Sequence, residues 1–186
     1  MIYLASSSPR RLELMNKITS NFKIIKPTFN ESLISKDSMH LALEESKGKA
    51  KSVQKLVESD SCIIACDTIV TYLDKVFLKP IDLKDAFNTL KFLSDKTHTV
   101  ISGYTIIYKD KIISKEIKTD VTFNKLSDEE ILNYINTSYV LDKAGSYAIQ
   151  DNKKYCLIKS ITGSLDNVIG FPADEIKQDL IELKVI

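Results

Sequence analysis

The sequence predicts an α/β fold, an extended and twisted mixed β-sheet flanked by helices. Three observations carry this. Strand-like and helix-period stretches follow one another in mixed order along the chain. Two long β-rich runs, Thr97 to Tyr108 and Lys111 to Phe123, meet at Asp110 as a hairpin. Cys62 to Val70 is the most strand-like run of all. With 44% hydrophobic residues, five glycines and four prolines in 186 residues, the chain is expected to form one domain with a real core rather than a disordered tract.

Ile2, Tyr3 and Leu4 read as the first strand. Ser8 is a good N-cap and Pro9 suits the first helical position, where its missing N–H costs nothing. The stretch Ala5 to Arg11 therefore joins a strand to a helix N-terminus. Such an end offers backbone N–H groups and the positive pole of the helix dipole, to which Ser6, Ser8, Arg10 and Arg11 add hydroxyls and guanidiniums. It suits a phosphate or another anion; a well-capped helix with two solvated arginines is the plainer alternative. Arg11 shares the stripe of Leu12, Met15 and Ile18, while Arg10 and Glu13 point elsewhere, and an arginine aimed along an apolar face usually has a partner.

Phe22 to Lys26 reads as a second strand, stopped by Pro27, and the loop Thr28 to Ser35 carries the single acid Glu31. Ser38 is expected to cap a helix running to about Ser59, with apolar positions at Met39, Ala42, Leu43, Ala50, Val53, Leu56 and Val57. On that wheel Lys47 and Lys51 face water and Lys49 points inward, either as a stem whose head snorkels out or as an ammonium that reaches a phosphate. In the run Cys62 to Val70 only Asp67 and Thr68 interrupt the apolar side chains. A carboxylate there is costly to bury, so Asp67 should bind a metal, meet a cation or open into a cleft; capping a neighbouring helix is the structural alternative.

Tyr72 to Leu78 pairs back through the turn Leu73-Asp74-Lys75 and ends at Lys79-Pro80, after which Asp82 caps a helix to Leu93. Beyond the hairpin, Ser127 and Glu130 form a capping box for a helix over Asp128 to Asn136. Leu141 to Gln150, which contains Lys143 and Gly145, reads as a functional loop entering a strand. Tyr155 to Ile161 is a further strand, Thr162-Gly163-Ser164 a turn, and Asn167 to Pro172 leads into a closing helix, Ala173 to Leu183.

Composition removes several function classes. Lys and Arg total 26 against 25 Asp and Glu, a net charge of +1, so no broad basic field holds nucleic acid or an anionic membrane. Any phosphate affinity must be local. Cys62, Cys66 and Cys156 are odd in number and lie in apolar runs; neither they nor His40 and His98 have zinc-ligand spacing. Buried free thiols in a reducing compartment are expected. No signal-peptide pattern opens the chain and no apolar run approaches the roughly 20 residues of a membrane span, so a cytoplasmic location is expected. No P-loop is present.

The informative residues are then Ser6, Ser8, Arg10, Arg11, Glu31, Lys49, Asp67, Thr68, Lys79, Lys143 and Gln150. Two acids able to share a hard cation, Glu31 and Asp67, stand with several cations and hydroxyls able to hold phosphates. That is the inventory of a metal-assisted phosphoanhydride hydrolase, in which a carboxylate positions or deprotonates water.

Ser6-x-Ser8-Pro9-Arg10-Arg11-x-Glu13-Leu14, Glu31-Ser32, Lys49-Ala50, Asp67-Thr68-Ile69-Val70, Lys79-Pro80, Thr97-His98-Thr99-Val100, Asp142-Lys143-Ala144-Gly145-x-Tyr147-x-Ile149-Gln150, Gly163-Ser164 and Asn167-Val168-x-Gly170-x-Pro172 together resemble the Maf nucleotide pyrophosphatases. The resemblance covers nearly the whole chain in the family's order. It implies an inosine triphosphatase-like architecture, a single domain over residues 1–186 with two lobes around a central cleft. It also implies hydrolysis of nucleoside triphosphates to monophosphate and pyrophosphate, a house-cleaning role, a divalent cation such as Mg²⁺ or Mn²⁺, and a cytoplasmic, often homodimeric protein. Position by position, Asp67 matches the proton acceptor, and Glu31 joins it near metal and water. Ser8, Arg10, Lys49 and Lys79 match phosphate-binding or catalytic positions, with Ser6 and Lys143 also on the substrate side. Arg11, Thr68 and Gln150 match positions tied to base selection. The Asp-Thr and Ile-Gln pairs resemble the branch that acts on dTTP and UTP. The alternatives are 7-methyl-GTP or CTP as substrate, or a nucleotide-binding regulator of septum formation. Ala148 and Asp151 stand where the family often has glycine, Ser102 where it has threonine and Phe171 where it has leucine, departures that bear on the base-side loop.

Overall fold

The computed structural model describes residues 1–31, 35 and 38–186. Residues 32–34 and 36–37 lie outside the described residues, and with them Ser32 of the Glu31-Ser32 pair. In order the elements are β1 (Ile2–Leu4), α1 (Pro9–Ile18), β2 (Phe22–Ile24), α2 (Leu41–Gln54), β3 (Cys62–Tyr72), β4 (Lys75–Phe77), α3 (Leu83–Leu93), β5 (Thr97–Tyr108), β6 (Lys111–Phe123), α4 (Asp128–Thr137), α5 (Asn152–Tyr155), β7 (Ile158–Thr162), α6 (Leu165–Ile169) and α7 (Ala173–Glu182). The hydrogen-bonded strand order is β2-β1-β3-β5-β6-β7, with β4 paired to β3. β1 runs parallel to both β2 and β3, whereas β3–β4 and β6–β7 are antiparallel, so the sheet is mixed as the sequence predicts.

The chain forms two compact units, residues 1–68, 102–117 and 170–186 in the first and 69–101 and 118–169 in the second. In the first unit β1 is the middle of a parallel trio, with Ile2 opposite Phe22 on one side and Cys62 on the other. Ala5, Ala50, Val53, Ile63, Ala65 and Ile107 form one of its apolar clusters. Small residues dominate where α2 meets the sheet, and the reason is distance: a Cβ on Gly103 of β5 would fall 2.2 Å from the Leu43 backbone nitrogen. Only glycine lets the helix lie that close. α7 is fastened by the buried Asp179, whose Oδ2 accepts a 2.6 Å hydrogen bond from Tyr104 and whose Oδ1 meets Lys115 at 2.6 Å.

In the second unit Val70, Phe77, Leu90, Leu93, Val100, Phe123, Tyr134 and Leu157 belong to one core, packed under α3 and α4. Asp82 accepts from the Asp85 backbone N–H and caps α3, while Ser127 and Glu130 close a complete capping box on α4, each as the sequence predicts. Such caps are worth about 1 kcal/mol each.

Three expectations need correction. α2 is shorter than the predicted Ser38–Ser59 helix. At its start Ser38 accepts from the backbone N–H groups of His40 and Leu41 and makes a turn instead of a cap. At its end the Leu56 N–H returns to Val53, which tightens the last turn and leaves Leu56 exposed. Residues 141–150 do not enter a strand: they form 3₁₀ turns at Ala144–Ser146 and Ile149–Asp151 that run into α5, and β7 begins only at Ile158. Side chains satisfy the backbone there in place of a ladder. Ala148 donates its N–H to Tyr134, Tyr134 donates to Asp151, and the Asn152 amide brackets Ile158 from both sides. Finally, Cys62 and Cys66 are buried free thiols, but Cys156 is exposed at the left-handed end of α5.

Candidate active site

The β1–α1 junction is built as its composition dictates. Ser8 takes the N-cap position and accepts from the Arg10 backbone N–H at 3.4 Å, Pro9 opens the helix, and the buried Ser6 hydroxyl accepts the Ser8 N–H at 3.2 Å. One residue further on, Arg11 turns inward. Its Nη2 donates to Asp67 Oδ1 at 3.0 Å and its Nε to the Gly170 carbonyl at 3.0 Å.

Asp67 lies on β3 directly after five buried residues. Its Oδ1 also accepts the Thr68 backbone N–H at 2.9 Å, and its Oδ2 meets the Lys49 ammonium at 2.7 Å. Lys49 projects from the inward face of α2, as its place on the helical wheel predicts, and its ammonium also pairs with Glu31 at 2.8 Å and with Glu45 at 3.7 Å. One ammonium thus sits among three carboxyl groups, with a guanidinium on the far side.

The electrostatics follow from this packing. Burial alone raises a carboxyl pKa, but for Asp67 the hydrogen bond from Glu45 and the charges of Arg11 and Lys49 outweigh it and hold the group well below the usual carboxylate range. Glu45 takes the opposite course: burial, then its hydrogen bond to Asp67 and the charge of Asp67, push it up to about 8. Near neutral pH it is a protonated donor to Asp67. For Lys49, burial works against the ammonium, and Asp67 and Glu31 reverse that and raise it. The Cys66 thiol, beside Asp67 and fully buried, is pushed up to about 11 by burial and stays protonated.

Ser6, Ser8, Arg10, Arg11, Glu31, Lys49, Asp67 and Thr68 all belong to the first unit. Within it Arg11, Glu31, Lys49 and Asp67 form one bonded cluster, and Thr68 continues it, its hydroxyl 2.8 Å from that of the buried Ser102. Arg10 is half-buried at the start of α1. Lys79, Lys143 and Gln150 belong to the second unit. Lys79 is exposed just beyond β4, and Gln150 is exposed in the 3₁₀ turn Ile149–Asp151. Lys143 pairs with Asp142 at 2.8 Å and donates to the Tyr139 carbonyl. Gly145 holds that loop at φ +69°, where a Cβ would come within 2.8 Å of Val70, and its N–H reaches the Leu78 carbonyl at 3.3 Å.

Sequence reasoning missed Glu45 and Gly170. The signal for Glu45 was present: it lies four residues before Lys49, on the same face of α2. Glu31, Glu45 and Asp67 each bring one carboxylate oxygen to within 4.8 Å of the others, and hard oxygen donors in that number suit a divalent cation such as Mg²⁺ or Mn²⁺.

Among the described residues no helix is long and apolar enough to cross a membrane. The fold is shared with a solved structure, the Staphylococcus aureus Ham1 protein, at a TM-score of 0.51 and 13% identity over 98% of each chain. The chain is 44% identical over 175 residues to a protein of Thermosipho africanus (strain TCF52B) named dTTP/UTP pyrophosphatase, covering 94% of this chain and 89% of that relative. A protein of the same name from Thermosipho melanesiensis is 44% identical over 100% of this chain and 99% of its own length, and one from Clostridium botulinum (strain Eklund 17B / Type B) is 40% identical over 97% and 98%. The family profile described as Maf-like protein matches residues 1–183, and with relatives this similar over nearly their whole length the chain belongs to the Maf family.

Proposed function

We propose that this protein is a nucleoside triphosphate pyrophosphatase that hydrolyses dTTP and UTP to the monophosphate and pyrophosphate, a house-cleaning hydrolase of the cytoplasm that works as a homodimer. The observation that carries the reading is the Lys49 ammonium held between Glu31 and Asp67, with Arg11 on the other Asp67 oxygen, in a chain 40 to 44% identical to relatives bearing that name.

Asp67 is the proton acceptor. Flanked by two cations it is ionised but a weak base. A triphosphate that draws the Lys49 ammonium onto its own oxygens removes one of those cations, and the basicity of Asp67 rises as water must be deprotonated. Water adds to phosphorus, the bond between the α- and β-phosphoryl groups breaks, pyrophosphate leaves and the proton of water passes to Asp67. Ser6, Ser8, Arg10 and the positive pole of α1 hold phosphate oxygens, with Lys79 and Lys143 as further cations. Thr68 and Gln150 occupy the positions that the family resemblance ties to base selection. Glu31, Glu45 and Asp67 would hold a divalent cation, which when bound supplies neutralisation of phosphate charge and a more acidic water.

The test is a panel of nucleoside triphosphates, dTTP, UTP, CTP, GTP and 7-methyl-GTP, at equal concentration with Mg²⁺ or Mn²⁺. Pyrophosphate should appear fastest from dTTP and UTP, and chelation with EDTA should stop its release until metal is restored. Orthophosphate as the first product, or no turnover of either pyrimidine nucleotide, would refute the assignment.

A further inference from the structure

The carbonyl of Gly170 takes two donors from the edge of the Asp67 cluster, the Arg11 Nε–H at 3.0 Å and the Cys66 thiol at 3.5 Å. Because a guanidinium is rigid and planar, a bond at Nε and a second at Nη2 fix its plane as well as its place. Arg11 is therefore fastened at two points, and the Asp67 oxygen it meets is also held by the Thr68 N–H. We propose that Gly170 is a positioning residue: its carbonyl grips Arg11 so that Arg11 braces the Asp67 carboxylate instead of reading the nucleotide base. The inference rests on the pyrophosphatase reading for its catalytic consequence, and it reassigns Arg11 within it.

Glycine is required for a torsional reason. Gly170 has φ +113°, a region closed to L side chains, while a Cβ built there would meet only Thr68 Oγ1, at an ordinary 3.4 Å. Space would admit alanine; the backbone angle that aims the carbonyl would not survive it. The mount behind the carbonyl is firm. Phe171 is fully buried, Pro172 leads directly into α7, and α7 is fastened through Asp179 to Tyr104 and Lys115. The buried Cys66 thiol is the second donor to the carbonyl, at 3.5 Å. The motif Asn167-Val168-x-Gly170-x-Pro172, to which no chemistry was attached in the sequence, thereby acquires one.

Gly170→Ala, Arg11→Lys and the double variant, assayed with dTTP, separate the possibilities. Lysine keeps the charge beside Asp67 but cannot bridge it to the carbonyl. Each single variant is expected to lose roughly 10- to 100-fold in kcat with KM within about threefold. The double variant should be no worse than Arg11→Lys alone, and the preference for dTTP over GTP should stay unchanged in all three. A rise in KM with kcat retained, a changed base preference, or losses that multiply in the double variant would overturn the proposal. A second measurement does not depend on turnover. In ¹⁵N NMR spectra the Arg11 Nε–H should give a resonance protected from solvent exchange in the wild type, and Gly170→Ala should abolish that protection. Absence of a protected Arg11 Nε–H in the wild type overturns the grip even if every triphosphate is left intact. A protected Nε–H in an inactive protein keeps the grip and refutes the pyrophosphatase reading. If Gly170→Ala does not fold, the kcat and KM of Arg11→Lys, its base preference and the wild-type resonance decide.

Discussion

Glu45 and Asp67 share a hydrogen bond yet are driven to opposite protonation states, and the difference lies in which of them the cations touch. Asp67 holds Arg11 and Lys49 at 3.0 and 2.7 Å, whereas Glu45 has Lys49 only at 3.7 Å. Asp67→Asn keeps the shape and removes the charge; turnover should fall by roughly 10²- to 10⁴-fold while nucleotide binding stays measurable by calorimetry. Complete loss of binding would make Asp67 part of the binding platform instead of the proton acceptor. Glu45→Gln preserves the donor to Asp67 but removes one of the three carboxylates that would hold the cation, so turnover at pH 7 should fall at limiting Mg²⁺ and recover as Mg²⁺ is raised. Its second signature is in the stability of the metal-free protein. The Glu45 carboxyl titrates near its ordinary 4.5 when unfolded and at about 8 when folded, so its contribution is complete below pH 4.5 and is lost as pH rises toward 8. In urea titrations the wild type should weaken relative to Glu45→Gln from pH 5 to pH 8. Parallel curves would mean that Glu45 is ionised in the native state.

Elements were legible in proportion to how local their signals are. Both side-chain-capped helices of the second unit were readable because a cap and its partner lie within three residues of each other. The same holds for the inward Lys49 and for Arg11, found because a charge on an apolar stripe needs a partner, and for Asp67, found because a carboxylate in an apolar strand is costly. Glu45 was passed over since an acid four residues before a lysine is the ordinary surface pair, and only the sheet packed against α2 makes it a buried one. The Gly170 carbonyl carries no side chain to read. The loop at 141–150 reads as an entry to a strand because the tyrosine that accepts its Ala148 N–H comes from position 134 and is itself held by Asp151, just past the loop. Gly103 is the clearest case of an element placed by one residue. Gly103→Ala would drive a methyl group into the Leu43 and Ala42 backbone of α2, which cannot move aside as a flexible side chain would. Overpacking of this kind costs about 1–3 kcal/mol, and backbone contact puts this one at the upper end. Thermal melting should show a Tm lowered by several degrees. Since α2 carries Lys49 and Glu45, activity below the new Tm should fall as well; an unchanged Tm would show that the helix can shift without loss.

For the whole molecule a loss of stability on mild acidification is expected from one buried residue of the second unit. His98 is buried in the second unit, its ring edge-on to Phe123 and Tyr147 at 4.8 and 5.4 Å, with Nε2 2.8 Å from the Tyr147 hydroxyl. Its Nδ1 is buried and makes no hydrogen bond among the described residues. Burial pushes its pKa down to about 4, against the nearby charge of Asp120, from an ordinary 6.5. The sign follows from proton counting. The unfolded chain binds a proton at His98 below pH 6.5 and the folded protein does not until about pH 4, so stability is complete above 6.5 and is lost as pH falls through that window. A shift of this size corresponds to roughly 3 kcal/mol by pH 4, a large share of the 5–15 kcal/mol that holds a typical domain. The only other histidine, His40, is exposed and bonded to Glu116, so it adds no comparable burial cost. His98→Gln retains a hydrogen-bonding group opposite Tyr147 and cannot titrate. Between pH 6.5 and 5, urea midpoints of the wild type should fall relative to those of His98→Gln, because the opposing Glu45 contribution is common to both proteins and cancels in the comparison. If the two curves run parallel, His98 is charged or solvated in the native protein.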